Sequence, residues 1–101
     1  MINITIQELE KENEVALKGE LDTAAAEEVE QKLRPLYESN GKDVVIDCTE
    51  LEYIASSGLR ILINILKAAN SNNCKVILRH VNDGIRTVLH ITGVDGLFEI
   101  I

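Results

Sequence analysis

Two short stretches of the chain hold residues able to do regulatory chemistry: Gly19-Glu20-Leu21-Asp22, and the segment from Asp47-Cys48-Thr49 to Ala55-Ser56-Ser57-Gly58. Each follows a strand-like run, and α/β sheets build their sites in loops beyond the carboxyl ends of parallel strands. With those strands as parallel neighbours, Asp22, Asp47 and Ser56 are expected close together at one edge of the sheet. Ser56-Ser57-Gly58 also opens a helix, whose free N–H groups and roughly half a positive charge tolerate an added phosphate. Gly58 is expected to leave backbone open to an approaching protein. Such a place suits a switch that changes surface charge without unfolding the domain. The same residues have plainer uses. Ser56, Ser57 and Asp22 are common helix caps, and Asp47 can serve by satisfying loop amides.

The elements that must position these residues follow from periodicity. Ile2, Ile4 and Ile6 alternate with polar residues, as do Val15 and Leu17 after a charged turn over Glu10 to Glu14, so the two strands read as a hairpin. From Thr23 the period becomes helical, with Ala26, Val29, Leu33 and Leu36 on one face, a kink at Pro35, and Asn40-Gly41 as the stop. Val44-Val45-Ile46 reads as a central strand covered on both faces. A loop from Cys48 to Ala55 then leads to a second helix over about Ser56 to Asn70. Cys74 to Arg79 gives a strand, Ile85, Val88 and Leu89 a short helix, and Leu97 to Ile101 a last strand. The order β-β-α-β-α-β-α-β implies an α/β fold with parallel pairing, in one domain over residues 1–101.

The second helix is apolar nearly all round, leaving a narrow stripe of Arg60, Asn64, Lys67 and Ser71. Either it is wedged between sheet and neighbouring helices, or it offers Ile61 and Ile65 to a partner.

Composition excludes several functions. A net charge of −7 argues against nucleic acid and against anionic lipid. No stretch reaches the roughly 18 apolar residues of a membrane span, and Met1-Ile2-Asn3-Ile4 lacks a basic leader, so a cytoplasmic location without membrane insertion is expected. Cys48 and Cys74 read as buried free thiols, and no cofactor or metal is expected. Neither serine lies in a GxSxG elbow, and there is no phosphate-binding glycine loop, so the chain is not expected to be an enzyme. A receiver-like acceptor at Asp47 would need an acidic pair after the first strand and a lysine after the last. Only Glu8 and Glu10, and no lysine, are there.

The run from Val44-Val45-Ile46-Asp47 through Ala55-Ser56-Ser57-Gly58-Leu59 to Leu62 resembles the signature of the STAS family, in which a strand ending in Asp leads to Asp-Ser-Ser/Ala-Gly-Leu at a helix start. Gly19-Glu20-Leu21-Asp22 is similar to that family's Gly-Glu-Leu-Asp motif, and the order of elements agrees over essentially the whole chain. The resemblance implies a mixed sheet with helices mainly on one face. It also implies an anti-sigma factor antagonist: a protein that binds an anti-sigma factor which is also a serine kinase. The kinase phosphorylates the first serine of the motif, here Ser56, which breaks the complex, and a PP2C-type phosphatase restores it. By position, Asp22, Asp47, Ser57, Gly58, Arg60 and Ile61 would contact the partner. Ala55 departs from the family, standing where an Asp usually precedes the acceptor. Some members are not phosphorylated and dock in lipid-transport or stress-signalling complexes.

Overall fold

The computed structural model describes residues 2–35 and 42–101. Five strands and three helices follow one another: β1 (Asn3–Glu8), β2 (Glu12–Leu21), α1 (Thr23–Leu33), β3 (Asp43–Ile54), α2 (Ser56–Ser71), β4 (Val76–Arg79), α3 (Asp83–Ile91) and β5 (Glu99–Ile100), with a 3-10 turn at Asp95–Leu97 before the last strand. This is the order expected from periodicity. Arg34 caps the end of α1; the expected continuation through Leu36 and the stop at Asn40-Gly41 lie outside the described residues.

The strands lie in the order β1-β2-β3-β4-β5, with β1 antiparallel to β2 and every other pair parallel. Val15 and Leu17 of β2, Val44 and Ile46 of β3, and Val76 and Leu78 of β4 all point to one face. There they join Val29 and Leu33 of α1, Leu62 and Ile65 of α2, and Ile85 and Leu89 of α3 in one apolar cluster. The helices thus cover one face of a mixed sheet, the arrangement that the sequence resemblance implies. On the other face, ion pairs of Arg79 with Glu14 (3.5 Å) and Glu12 (4.0 Å) keep the surface polar. Val45 points there too, though it is buried, so the triple Val44-Val45-Ile46 is not a strand sandwiched between helix layers.

The largest departure from expectation is the segment read as a loop. β3 runs on from Asp47 to Ile54, hydrogen-bonded to β2 as far as Leu21↔Ile54, while β4 stops opposite Asp47 at Arg79. Two irregularities disguise the strand. As β2 advances from Ala16 to Lys18, β3 advances from Asp47 to Glu50, and as β2 passes from Gly19 to Glu20, β3 passes from Leu51 to Tyr53. Each inserts one extra residue into β3 and shifts its phase. The buried positions are therefore Ile46, Cys48, Leu51 and Ile54, spaced by two, three and three, a pattern that does not read as a strand. Gly19, at the second irregularity, has φ 107, in the region that favours glycine.

Gly58 sits where α2 crosses this extended ribbon. A Cβ there would lie 2.6 Å from Cγ and 2.9 Å from Cδ2 of Leu21, and 3.1 Å from Cγ1 of Ile54. Leu21 is fully buried and cannot yield. Gly58→Ala should therefore destabilise the fold by ~1–3 kcal/mol from overpacking, despite alanine's better helix propensity. A lowered urea midpoint at unchanged m-value would show it.

Candidate functional site

The rim of the sheet is built by the β2–β3 ribbon where it outruns β4. Its last rung is closed by the Ala55 amide, which donates to the Leu21 carbonyl at 2.8 Å. That bond sets the start of α2 beside the start of α1, and the Ser57 hydroxyl donates to Thr23 Oγ1 at 3.4 Å. Two helix N-termini, far apart in sequence, thus share one rim. Asp22 and the Ser56-Ser57 pair are neighbours there, as expected.

The three candidate caps divide. Asp22 is the N-cap of α1, its carboxylate accepting from the Ala25 amide at 2.8 Å, so its structural use is confirmed. The serines are not caps. The N-cap of α2 is Ala55, which has no side-chain bond to offer. Ser56 is the first helical residue and is exposed, while Ser57 is half-buried. The Ser56 hydroxyl is therefore not spent on capping. It stands at a helix start whose first N–H groups receive no side-chain acceptor from the cap position, a favourable seat for an anion.

Three other expected placements are corrected. Asp47 is not at this rim. It lies in the middle of β3, seven residues before Ile54, so about 20 Å of strand at ~3.3 Å per residue separates it from the helix start. Ile61, with 2% of its surface exposed, and Ile65, with none, belong to the core; α2 is the wedged helix, not an apolar docking face. Gly58 is buried and pressed against Leu21, so its missing side chain serves close packing inside the fold and opens no backbone to a visitor. Arg60 is exposed, one turn into α2.

Asp47 has its own setting. Its carboxylate accepts from the Thr49 amide at 3.0 Å and from the Thr49 hydroxyl, which also lies 3.0 Å from His80 Nδ1. His80 Nδ1 is 3.5 Å from the Asp47 carboxylate, and its backbone holds a left-handed φ of 58. Burial opposes ionisation of Asp47, but the Thr49 bonds and His80 outweigh it and hold its carboxyl below the usual value. Sequence spacing did not reveal this cluster, because only the register Asp47↔Arg79 brings His80 alongside. Nor did it single out Glu20, Glu52 and Tyr53, which are exposed beside the rim, Tyr53 by 51%. Among the described residues no cluster of three or more His, Cys, Asp or Glu side chains is placed to hold a metal ion, and no helix is long and apolar enough to cross a membrane.

The chain matches the family model described as "Mlab, STAS domain" over residues 4–100. It is 30% identical over 99 residues to the anti-sigma-B factor antagonist of Staphylococcus aureus (strain NCTC 8325 / PS 47), across 98% of this chain and 92% of that protein. An anti-sigma factor antagonist from Mycobacterium paratuberculosis superposes with a TM-score of 0.82 at 24% identity, covering 99% of this chain and 85% of that one. The Bacillus cell fate determinant SpoIIAA in its phosphorylated form gives 0.75 at 18%, covering 98% and 91%. At such identities the two solved structures establish a shared fold.

Two measurements check the site. Ala55→Asp, which supplies the absent cap, should stabilise the protein by ~1 kcal/mol, whereas Ser56→Ala should change stability by less than about 0.5 kcal/mol; chemical denaturation separates them. Because Asp47 ionises more readily folded than unfolded, its contribution is present at neutral pH and lost as pH falls through the carboxylate range. The wild-type urea midpoint should therefore fall more steeply below about pH 5 than that of Asp47→Asn.

Proposed function

The chain belongs to the STAS family, and from that premise we propose that it is an anti-sigma factor antagonist: a cytoplasmic protein-binding switch, not an enzyme, regulated by phosphorylation of Ser56. The observation that carries this reading is the exposed Ser56 hydroxyl, free of any capping duty, at an uncapped helix start beside Asp22. Its partner is an anti-sigma factor that is also a serine kinase, and a PP2C-type phosphatase reverses the modification.

The rim suits both states. Unphosphorylated, it offers an exposed hydroxyl at a helix start that adjoins the one capped by the Asp22 carboxylate, with Arg60 exposed one turn into α2. In the transfer, Ser56 Oγ bonds to the γ-phosphorus of ATP held by the kinase, ADP leaves, and the hydroxyl proton passes to the kinase. The product carries about −1.5 to −2 charges. Within the free protein the N–H groups and dipole of α2 accommodate that charge. At a protein interface the same dianion is repelled by Asp22 and must shed its water. The fold therefore tolerates the modification and the complex does not. Ser57 and Arg60, exposed or half-exposed at the same helix start, are assigned to the partner contact with Asp22. Asp47, at its distance along β3, touches only a partner that reaches down the open face of the sheet.

Ala55 favours a second reading, a docking subunit of a lipid-transport or stress-signalling complex that is never phosphorylated, since a carboxylate beside the acceptor hydroxyl is missing. Incubation with the cognate kinase and ATP separates the two: mass spectrometry should find one phosphate, on Ser56, removable by the phosphatase. Ser56→Glu should weaken kinase binding at least tenfold, about 1.4 kcal/mol, while Ser56→Ala binds as wild type. Phosphate on another residue, or none, overturns the switch; co-purification with transporter subunits supports the docking role.

A further inference from the structure

β1 forms one edge of the sheet, and among the described residues the run Asn3–Gln7 on its outer side lacks the usual defences. Edge strands are commonly blunted by charge, proline, a bulge or a covering element. Asn3-Ile4-Thr5-Ile6-Gln7 has no charge and no proline, and its register with β2 is unbroken through six pairs. Every residue of β1 except Ile4 is exposed, including Ile6 at 36%. A cavity of about 470 Å³ lies alongside, lined by Asn3, Ile4, Thr5, Lys18, Glu28 and Lys32 among others.

We propose that this edge pairs with the same edge of a second copy, β1 antiparallel to β1 about a twofold axis at Thr5. The strand is complementary to itself in that register. Thr5 faces the partner's Thr5, Ile4 faces the partner's Ile6 on the helix side, and Asn3 faces the partner's Gln7 on the open side. Cross-strand pairs of this kind, β-branched on β-branched and amide on amide, are the units that stabilise sheets. Charge agrees with this occupant. Each copy carries −7, yet the seam from Asn3 to Gln7 is neutral, so little of the repulsion is focused there. The one ionised side chain that β1 brings to the seam, Glu8, falls opposite the partner's Ile2, at the end of the cavity that Lys32 of α1 lines. A foreign strand would lack this reciprocity, which a closed twofold contact requires. Two five-stranded sheets would join into one continuous sheet. Because the strands run antiparallel across the axis, the two Ser56 rims would lie at opposite ends, both free.

Sedimentation across a concentration series tests the pairing. The wild type should rise from the mass of one chain to twice that mass. Thr5→Lys, which sets two ammonium groups face to face, should weaken association at least tenfold with an unchanged far-ultraviolet dichroism spectrum. Thr5→Cys should form a disulfide between copies under mild oxidation, since opposed Cα atoms about 4.5–5.5 Å apart suit that bond and the native Cys48 and Cys74 are buried. A wild type that keeps the mass of one chain at every concentration overturns the proposal, as does a dimer that folded Thr5→Lys leaves intact.

Discussion

The arrangement of the rim depends on the parallel pairing of β2 with β3 beyond the point where β4 ends. Among the described residues, the seven of β3 past Asp47 have only β2 as a strand neighbour, and that ribbon is held down by three inward side chains, Leu51, Ile54 and Leu21, each almost or fully buried. Its last rung, from the Ala55 amide to the Leu21 carbonyl, fixes the end of one motif against the start of the other. Gly58 then lets α2 settle directly on Leu21 and Ile54. A loop in place of the ribbon would leave Asp22 and Ser56 free to drift, and no electrostatic relation between them could be maintained.

The two helix starts that meet there are finished differently, and the difference matters chemically. α1 is closed by its own carboxylate, Asp22, which neutralises part of the positive end of that helix. α2 begins after an alanine and keeps its positive end uncompensated by any side chain at the cap position. An incoming anion is therefore directed to the serine side of the rim and not to the aspartate side. An Asp at the cap position would set a carboxylate in this place before any phosphate arrives. The present chain has a weaker cap and a more receptive anion seat at once.

Much of the fold was legible because its apolar periods are regular. The hairpin of alternating isoleucines, the helices and their order all follow from spacing that packing does not override. The strand from Cys48 to Ile54 was hidden because two inserted residues break the period of two, and because it holds Thr49, Glu50 and Glu52 where a buried central strand would hold aliphatics. Misreading it displaced Asp47 to the rim by seven residues. Ile61 could not be assigned from its helix alone: an all-apolar helix is equally consistent with burial and with docking, and only its contacts with the sheet and with α1 decide. The Asp47–Thr49–His80 cluster joins two strands through register, which no local pattern encodes.

One consequence of the overhanging ribbon concerns how such a surface can diversify. The side chains that support it face inward, and a change at Leu21, Leu51, Ile54 or Gly58 is felt by the whole fold. Those displayed on it, Glu20, Glu52 and Tyr53, touch little else and can be exchanged without disturbing the platform. Support and display are thereby assigned to different residues of the same short segment, so the displayed set can be redrawn while the supporting set stays fixed.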